Sequence, residues 1–187
     1  PLAGYTIAVI GVGHVGSIVE RWAKGFDMKV LRYDPPRQRA EGGDDWADLE
    51  TIAREADIIT FHTPLTREGE DKTFHMVDEA FMSRLRRAPI MINSARGEIF
   101  DTEAVIAAKD AGKIGPLIID CWEDEPRIDT DLLARTVIAT PHIAGYSREG
   151  KIRASQTVLD AITTFFMLPR VTIDAPLPPA PARTVSL

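Results

Sequence analysis

Short, nearly continuous runs of apolar residues recur along the chain and alternate with amphipathic stretches of helical length. Runs rich in β-branched or aromatic residues are typical of strands that are buried on both faces, as in a parallel sheet covered by helices. Six such runs predict strands at Tyr5–Ile10, Met28–Tyr33, Asp57–Phe61, Ile90–Asn93, Leu117–Asp120 and Val137–Ala139. The stretches between them predict helices at Ser17–Gly25, Leu49–Ala56, Asp78–Leu85 and Thr102–Ala111, the last with Asp101 as its N-cap.

The order of these elements favours one architecture. No hairpin turn signal joins consecutive strands, and connections between parallel strands are almost always right-handed crossovers. The chain is therefore predicted to be an α/β protein with a doubly wound parallel sheet. A longer helix is predicted from Arg148 to Leu168, because apolar residues recur there at helical spacing until Pro169. We predict one domain over residues 1–168 and a proline-rich linker or tail over residues 169–187.

Charge and cysteine content narrow the possible partners and the compartment. The 187 residues carry 22 Lys and Arg against 28 Asp and Glu, which gives a formal net charge of −6. We expect no nucleic-acid partner, since there is no basic stripe, and no membrane span, since no apolar run approaches ~20 residues. The single Cys121 cannot form an internal disulfide, which favours a cytoplasmic protein. Neither a metal site nor a thiol nucleophile is indicated by the spacing of the His, Cys and acidic residues.

A glycine-rich turn follows the first predicted strand and opens the first predicted helix. The segment 11–16, Gly-Val-Gly-His-Val-Gly, has the G-x-G-x-x-G spacing in the strand-to-helix context that a dinucleotide-binding turn requires. Gly11 permits a tight turn, Gly13 lets a pyrophosphate approach the backbone, and Gly16 lets helix and strand pack closely. The sheet is therefore expected to be Rossmann-like and to bind a dinucleotide.

Asp34 ends the second predicted strand, about 20 residues after the turn, where this fingerprint expects an acid. A carboxylate accepts hydrogen bonds from the ribose hydroxyls of adenosine and repels a 2′-phosphate, so NAD is favoured over NADP. Three neighbouring arginines complicate this prediction because an arginine can bind that phosphate; they are Arg32, Arg37 and Arg39. Solvated loop charge is the simpler interpretation of all three.

Three polar residues, Arg96, Glu125 and His142, follow the fourth, fifth and sixth predicted strands. Open α/β sheets bind their ligands at this edge. Together these residues suit hydride transfer between a 2-hydroxy acid and a nicotinamide: an imidazole takes the hydroxyl proton, a carboxylate orients it, and a guanidinium binds the substrate carboxylate. Taken singly, each has a structural explanation, as a surface ion pair, a helix start or a turn residue. Their shared position favours the catalytic interpretation.

The remaining histidines and the cysteine carry weaker signals. His62 follows the third predicted strand and is interpreted as a contact at the edge of the cofactor site. His75 is interpreted as a helix-start or surface residue, since no comparable group of partners stands near it in sequence.

These motifs together resemble the cofactor domain of the D-isomer-specific 2-hydroxyacid dehydrogenases. The similar segments are the glycine-rich turn with Asp34, then 61–65, 93–97, 120–126 and 141–144, and they span most of residues 5–150. The resemblance implies that Arg96, Glu125 and His142 are the catalytic set, with His142 donating the proton in the reductive direction. It also implies NAD contacts from Gly11, Gly13, His14, Val15, Gly16, Asp34, Thr63, Asp120 and Gly145.

Two further runs, 33–37 and 142–151, are similar to a branch of this family that acts on a phosphorylated 2-hydroxy acid. This resemblance implies a substrate contact from Tyr146, a homodimer at full length, and a substrate domain that is largely absent from this chain. Two alternatives stay open. One is a relative that acts on glycerate or phosphoglycerate, and the other is a binding module that senses NAD without turnover.

Overall fold

The computed structural model describes residues 1–174, which divide after Ala144 into two compact units. The first unit contains β1 (Thr6–Ile10), α1 (His14–Gly25), β2 (Lys29–Tyr33), α2 (Pro35–Glu41), α3 (Leu49–Glu55), β3 (Ile58–Phe61), α4 (Glu79–Arg84) and β4 (Ile90–Asn93). It continues with a 3-10 turn (Gly97–Ile99), α5 (Thr102–Asp110), β5 (Leu117–Ile119), α6 (Thr130–Arg135) and β6 (Ile138–Ala139). The second unit contains α7 (Arg148–Phe165).

The described strands form one parallel sheet in the order β2-β1-β3-β4-β5-β6. In its register, Ile10 of β1 lies opposite Tyr33 of β2 on one side and Phe61 of β3 on the other. This arrangement confirms the predicted doubly wound α/β sheet. The strand order reverses direction at β1, so the crevice between the loops that follow β1 and β3 is where such sheets bind ligands.

Helices pack on both faces of the sheet, but they do not cover it evenly. α3, α4, α5 and α6 pack in a row over the larger core, which contains Ile10, Ile59 and Phe61. On the opposite face α1 contacts β1 and β2. The expected burial on both faces therefore holds for the central strands and is wrong for β6, where Ile138 is 53% exposed. β6 is the outermost strand of the sheet, where fewer neighbouring elements are available to cover an apolar side chain.

Aspartate N-caps start most of the short helices. The caps of α2 to α6 are Asp34, Asp48, Asp78, Asp101 and Asp129, and each accepts a hydrogen bond from a backbone N–H in the first turn. The Asp101 cap confirms the sequence prediction. Two short helices were not predicted. α2 begins with Pro35 and Pro36, which are typical of a loop, although proline also suits the first turn of a helix. The other is α6, which has only six residues.

The second unit is built around α7, which Ser147 caps by accepting a hydrogen bond from the backbone N–H of Gly150. The helix ends at Phe165, three residues before the predicted end at Leu168. The Gln156 side chain donates to the Val171 carbonyl and accepts from the Ile173 N–H, so residues 171–173 run back along the helix. Residues 175–187 of the predicted tail lie outside the described residues. Across residues 1–174 no helix combines the length and apolarity needed to cross a bilayer.

Two isoleucines test the uneven coverage of the sheet. Ile59 in β3 is fully buried, whereas Ile138 in β6 is more than half exposed. We expect Ile59→Ala to lower the free energy of unfolding by about 2–5 kcal/mol, because it leaves a cavity in the core. Ile138→Ala should cost about 1 kcal/mol or less. Urea denaturation followed by circular dichroism measures both, and equal losses would contradict this description of the core.

Candidate active site

The turn after β1 has the geometry that its glycines predict. Gly11 has φ +85°, and a Cβ built on it would lie 2.7 Å from the backbone nitrogen of Thr63, in the loop after β3. A Cβ on Gly16 would lie 2.0 Å from the Gly11 carbonyl oxygen. A Cβ on Gly13, by contrast, would meet no other atom of the described residues within 4 Å. Gly11 and Gly16 therefore permit close packing, while Gly13 borders open space.

The N-terminus of α1 can receive an anion. Within the described residues no side chain caps this helix at Gly13, and its first turn, which includes His14 and Val15, contains no acidic residue. The first backbone N–H groups of a helix lack partners inside it and carry the positive end of the helix dipole. The open space beside Gly13 thus adjoins donors that suit a pyrophosphate.

Asp34 connects this turn to α2. One carboxylate oxygen accepts a hydrogen bond from the Val12 N–H at 2.8 Å, and the other accepts from the Arg37 N–H at 3.0 Å. The Arg37 side chain contacts the same turn, because its guanidinium donates to the Val12 carbonyl and to Ser17 Oγ. The interpretation of Arg37 as solvated loop charge is therefore wrong: it braces the cofactor turn.

The other two arginines near Asp34 are also engaged by protein groups. Arg32 pairs with Asp45 and lies 4.3 Å from the centroid of the Trp46 ring. Arg39 pairs with Asp71. Each of these guanidiniums would have to break an existing contact to bind a 2′-phosphate, whereas the Asp34 carboxylate already stands at the end of β2.

A cavity next to Asp34 contains unsatisfied polar atoms. It is lined by residues of the loops after β1, β2 and β3, among them Gly11, Asp34, Thr63 and Asp71. Thr63 Oγ1 and Asp71 Oδ1 are buried without a hydrogen-bond partner in the described structure. An orphaned buried polar atom costs about 1–3 kcal/mol, which a ligand with matching groups would recover. The cavity and the turn thus fit the adenosine and pyrophosphate parts of a dinucleotide.

The turn after β4 is shaped by a buried side chain, Asn93. Its amide nitrogen donates to the Arg96 carbonyl at 2.9 Å, and its amide oxygen accepts from the Ala95 N–H at 3.1 Å. Arg96 is exposed, and within the described part of the chain its guanidinium donates to the Ala95 carbonyl at 2.6 Å rather than to a carboxylate. A Cβ on Gly97 would lie 1.9 Å from the carbonyl carbon of Trp122, so the loops after β4 and β5 are in direct backbone contact.

Glu125 and His142 form a hydrogen-bonded pair. His142 Nδ1 lies 2.8 Å from Glu125 Oε2, while Glu125 Oε1 accepts from the Trp122 N–H at 2.7 Å. Trp122 Nε1 in turn donates to the Thr140 carbonyl, just before the histidine. His142 has φ +54° and an exposed side chain. With Nδ1 engaged by the carboxylate, the ring can exchange a proton through Nε2.

Asp120 anchors the loop that carries His142. Its Oδ1 accepts hydrogen bonds from Thr140 Oγ1 and the Ile143 N–H, and its Oδ2 accepts from the Ala144 N–H. Burial acts to raise the pKa of Asp120, but the hydrogen bonds from Thr140 and the two N–H groups outweigh it and lower that pKa. The carboxylate is thus kept charged inside the protein, where it fixes the histidine loop. The NAD contact predicted for Asp120 stays a prediction.

The other predicted site residues occupy several places. His62 is largely buried beside Thr60, and burial lowers the pKa of its imidazole. Cys121 is buried, which raises the pKa of its thiol to about 12 and makes it a poor nucleophile.

Gly145 and Tyr146 belong to the second unit, where Lys151 Nζ lies 3.6 Å from the centroid of the Tyr146 ring. A hydrogen bond from Lys151 lowers the pKa of this phenol.

Three residues near this site have contacts that were not predicted. Asn93 is a polar residue in an otherwise apolar predicted strand, which is the sequence signal that could have marked it, and it is buried. Trp122 lies in the segment 120–126, and no role of its own was predicted for it. His75 was predicted to be a helix-start or surface residue; it lies in the loop before α4, is partly buried, and its Nε2 lies 2.5 Å from Glu123 Oε1.

Comparisons with known proteins identify the family of this chain. The family described as D-isomer specific 2-hydroxyacid dehydrogenase, NAD binding domain, matches residues 1–144. The chain is 48% identical over 177 residues to erythronate-4-phosphate dehydrogenase of Bacteroides thetaiotaomicron. This match covers 95% of the chain and 50% of the relative. The protein of the same name from Porphyromonas gingivalis is 42% identical over 180 residues, 96% of this chain and 49% of the relative. The chain thus spans about half the length of the curated relatives it matches.

A solved structure supports the same assignment. The D-lactate dehydrogenase from Aquifex aeolicus, complexed with NAD and lactic acid, superposes with a TM-score of 0.70 at 30% identity. The match covers 87% of this chain and 54% of that protein. With its dinucleotide turn, its acid at the end of β2 and a family match over residues 1–144, the chain belongs to the NAD-binding domains of the D-isomer specific 2-hydroxyacid dehydrogenases.

Proposed function

We propose that this domain serves the NAD-dependent oxidation of 4-phospho-D-erythronate to its 2-oxo acid, a reaction in the biosynthesis of pyridoxal 5′-phosphate. The observation that carries the proposal is the hydrogen bond between His142 Nδ1 and Glu125 Oε2. A domain that only senses NAD needs no oriented proton acceptor at the substrate side of the sheet. The names of the 42–48% identical relatives support the choice of substrate. A cytoplasmic location and a homodimer remain predictions.

The cofactor would be held by groups that the structure leaves available. The first N–H groups of α1 and the open space beside Gly13 would receive the pyrophosphate. Asp34 would accept hydrogen bonds from the ribose hydroxyls, and Thr63 Oγ1 would gain the partner that it lacks. When bound, NAD supplies the hydride acceptor.

The chemistry of this chain is proton transfer and charge placement. In the oxidative direction, neutral His142 takes the proton of the substrate hydroxyl at Nε2, and Glu125 stabilises the resulting imidazolium at Nδ1. Arg96 binds the substrate carboxylate and, in the reverse direction, polarises the carbonyl. Asp120 keeps His142 in place through the backbone of its loop. Tyr146, which follows in the second unit, is proposed to contact the substrate.

The substrate assignment can be tested with the full-length protein that carries this domain. We expect the kcat/KM for 4-phosphoerythronate to exceed the values for glycerate and 3-phosphoglycerate by roughly 10-fold or more. A spectrophotometric assay of NADH formation measures all three. If kcat/KM is highest for 3-phosphoglycerate, the proposed substrate is wrong and the protein is a phosphoglycerate dehydrogenase. If no 2-hydroxy acid is turned over, the result supports an NAD-sensing module instead.

Cofactor choice can be tested on the 187-residue chain by calorimetry. Asp34→Asn keeps an N-cap on α2 and removes the charge, so it should weaken NAD binding by ~1.5–3 kcal/mol and reduce discrimination against NADP. Asp48→Asn is the matched control, since Asp48 caps α3 in the same way outside the cofactor site. Equal affinity of the unmodified chain for NAD and NADP would refute the role of Asp34.

The proton-transfer roles predict opposite pH dependences in the two directions. Oxidation requires neutral imidazole and should rise with pH, whereas reduction requires imidazolium and should fall. His142→Gln should abolish both limbs in single-turnover measurements, and Glu125→Gln should slow the chemical step, while NAD binding measured separately stays intact for both. An unchanged chemical rate in the His142 variant would rule out its role as the base.

A further inference from the structure

We propose that Glu123 is a positioning residue that holds the Glu125–His142 pair in its working geometry. Its carboxylate is bonded by His75 and Thr102, and these three residues are called the Glu123 clamp. The proposal rests on the proposed function, since it explains how the proton acceptor of that reaction is kept in place. It assigns a role to a cluster of side chains that the mechanism above does not use.

The Glu123 carboxylate is held on both of its oxygens. His75 Nε2 lies 2.5 Å from Oε1, and Thr102 donates to Oε2 from its hydroxyl at 2.7 Å and its backbone N–H at 3.3 Å. Phe74 stacks on the His75 ring at 4.0 Å between centroids, which fixes the plane of the imidazole. Three separate segments, the loop before α4, the start of α5 and the loop after β5, therefore meet at one carboxylate.

Glu123 lies in the same loop as Glu125. Glu123 stands between Trp122, whose N–H donates to Glu125, and Asp124, which has φ +58°. This left-handed region costs free energy for a non-glycine residue, although aspartate enters it more often than most, and surrounding contacts help to hold the residue there. The contacts of His75 and Thr102 with Glu123 supply such a constraint at the residue before Asp124.

The Glu123 clamp also contacts the loop after β4, which carries Arg96. A Cβ on Gly97 would lie 2.3 Å from the backbone nitrogen of Glu123, so the residue after Arg96 packs directly on the clamped residue. The backbone N–H of His75 donates to the Glu98 carbonyl in the same turn. Movement of Glu123 would therefore disturb the position of Arg96 as well as that of Glu125.

The charges around the clamp show why it is needed. The surrounding groove is lined by Asp101, Glu103, Asp124 and Asp129, with His75 and Arg127 as the basic groups. His75 Nδ1 also lies 3.8 Å from Asp101 Oδ2. Neighbouring carboxylates repel one another, so an unclamped Glu123 would be driven toward solvent and would take the loop with it.

The first test follows the histidine rings of the 187-residue chain by NMR with 15N-labelled histidine. The chain contains four histidines, so each signal can be assigned from single His→Gln variants. The ring shifts of His142 report its hydrogen bond to Glu125, and Glu125→Ala provides the reference for the lost bond. We expect Glu123→Ala to move the His142 signals at least halfway toward that reference. Glu103→Ala, in the same groove, should leave them unchanged.

The outcomes separate this proposal from the proposed function. If Glu125→Ala moves the His142 signals and Glu123→Ala moves only those of His75, the positioning role is refuted while the catalytic pair stands. If Glu125→Ala itself leaves His142 unmoved, the pairing fails and the proposed mechanism fails with it.

A second test uses the full-length protein and a graded change at Thr102. Thr102→Val removes the hydroxyl donor and Thr102→Ser retains it, so neither variant touches the Glu123 charge. We expect Thr102→Val to lower kcat by about 10-fold, as misplaced catalytic groups do, with the KM for NAD within about 3-fold of the original. Thr102→Ser should restore kcat. Equal kcat values for the two variants, or a parallel loss of NAD affinity in Thr102→Val, would overturn the proposal.

Discussion

Direct backbone contact at the carboxyl edge of the parallel sheet is the constraint on which the rest of the site depends. The loops after β1 and β3 touch at Gly11, and the loops after β4 and β5 touch at Gly97; at both points a single Cβ would overlap a neighbouring backbone atom. Parallel strands deliver every one of these loops to the same edge. The contact between them then sets where the polar side chains of different strands stand relative to one another.

Carboxylate side chains also fix the backbone of the loops at this edge of the sheet. Asp34, Asp120 and Glu125 each accept a hydrogen bond from a backbone N–H of another loop residue. Such charge-assisted bonds are short and directional. The acids that a chemist would assign to the cofactor or to proton transfer therefore also determine the path of the backbone around the site.

Much of the fold could be predicted because its signals are local. Apolar runs predicted every described strand to within a residue at either end, and the context of the glycine-rich turn predicted a dinucleotide-binding domain, which the family match confirms. The misses have separate causes. α2 begins with two prolines that mark a loop and a helix start equally well, and the roles of Arg37 and His75 depend on partners that are distant in sequence. Asn93, by contrast, bonds to Ala95 and Arg96 in the turn that directly follows it. The exposure of Ile138 depends on the place of β6 at the edge of the sheet, which the residues of the strand do not encode.

The double role of Asp34 limits how this domain can evolve. Under the proposed function, backbone N–H groups of the turn recognise the phosphate and are preserved by any substitution that spares the glycines, whereas recognition of the sugar depends on the Asp34 carboxylate. That carboxylate also holds the Val12 N–H and caps α2. A lineage that changed its cofactor by replacing Asp34 would loosen the phosphate turn in the same step. A switch of cofactor in such a domain therefore requires a compensating change elsewhere in the turn, and single substitutions are poor starting points for it.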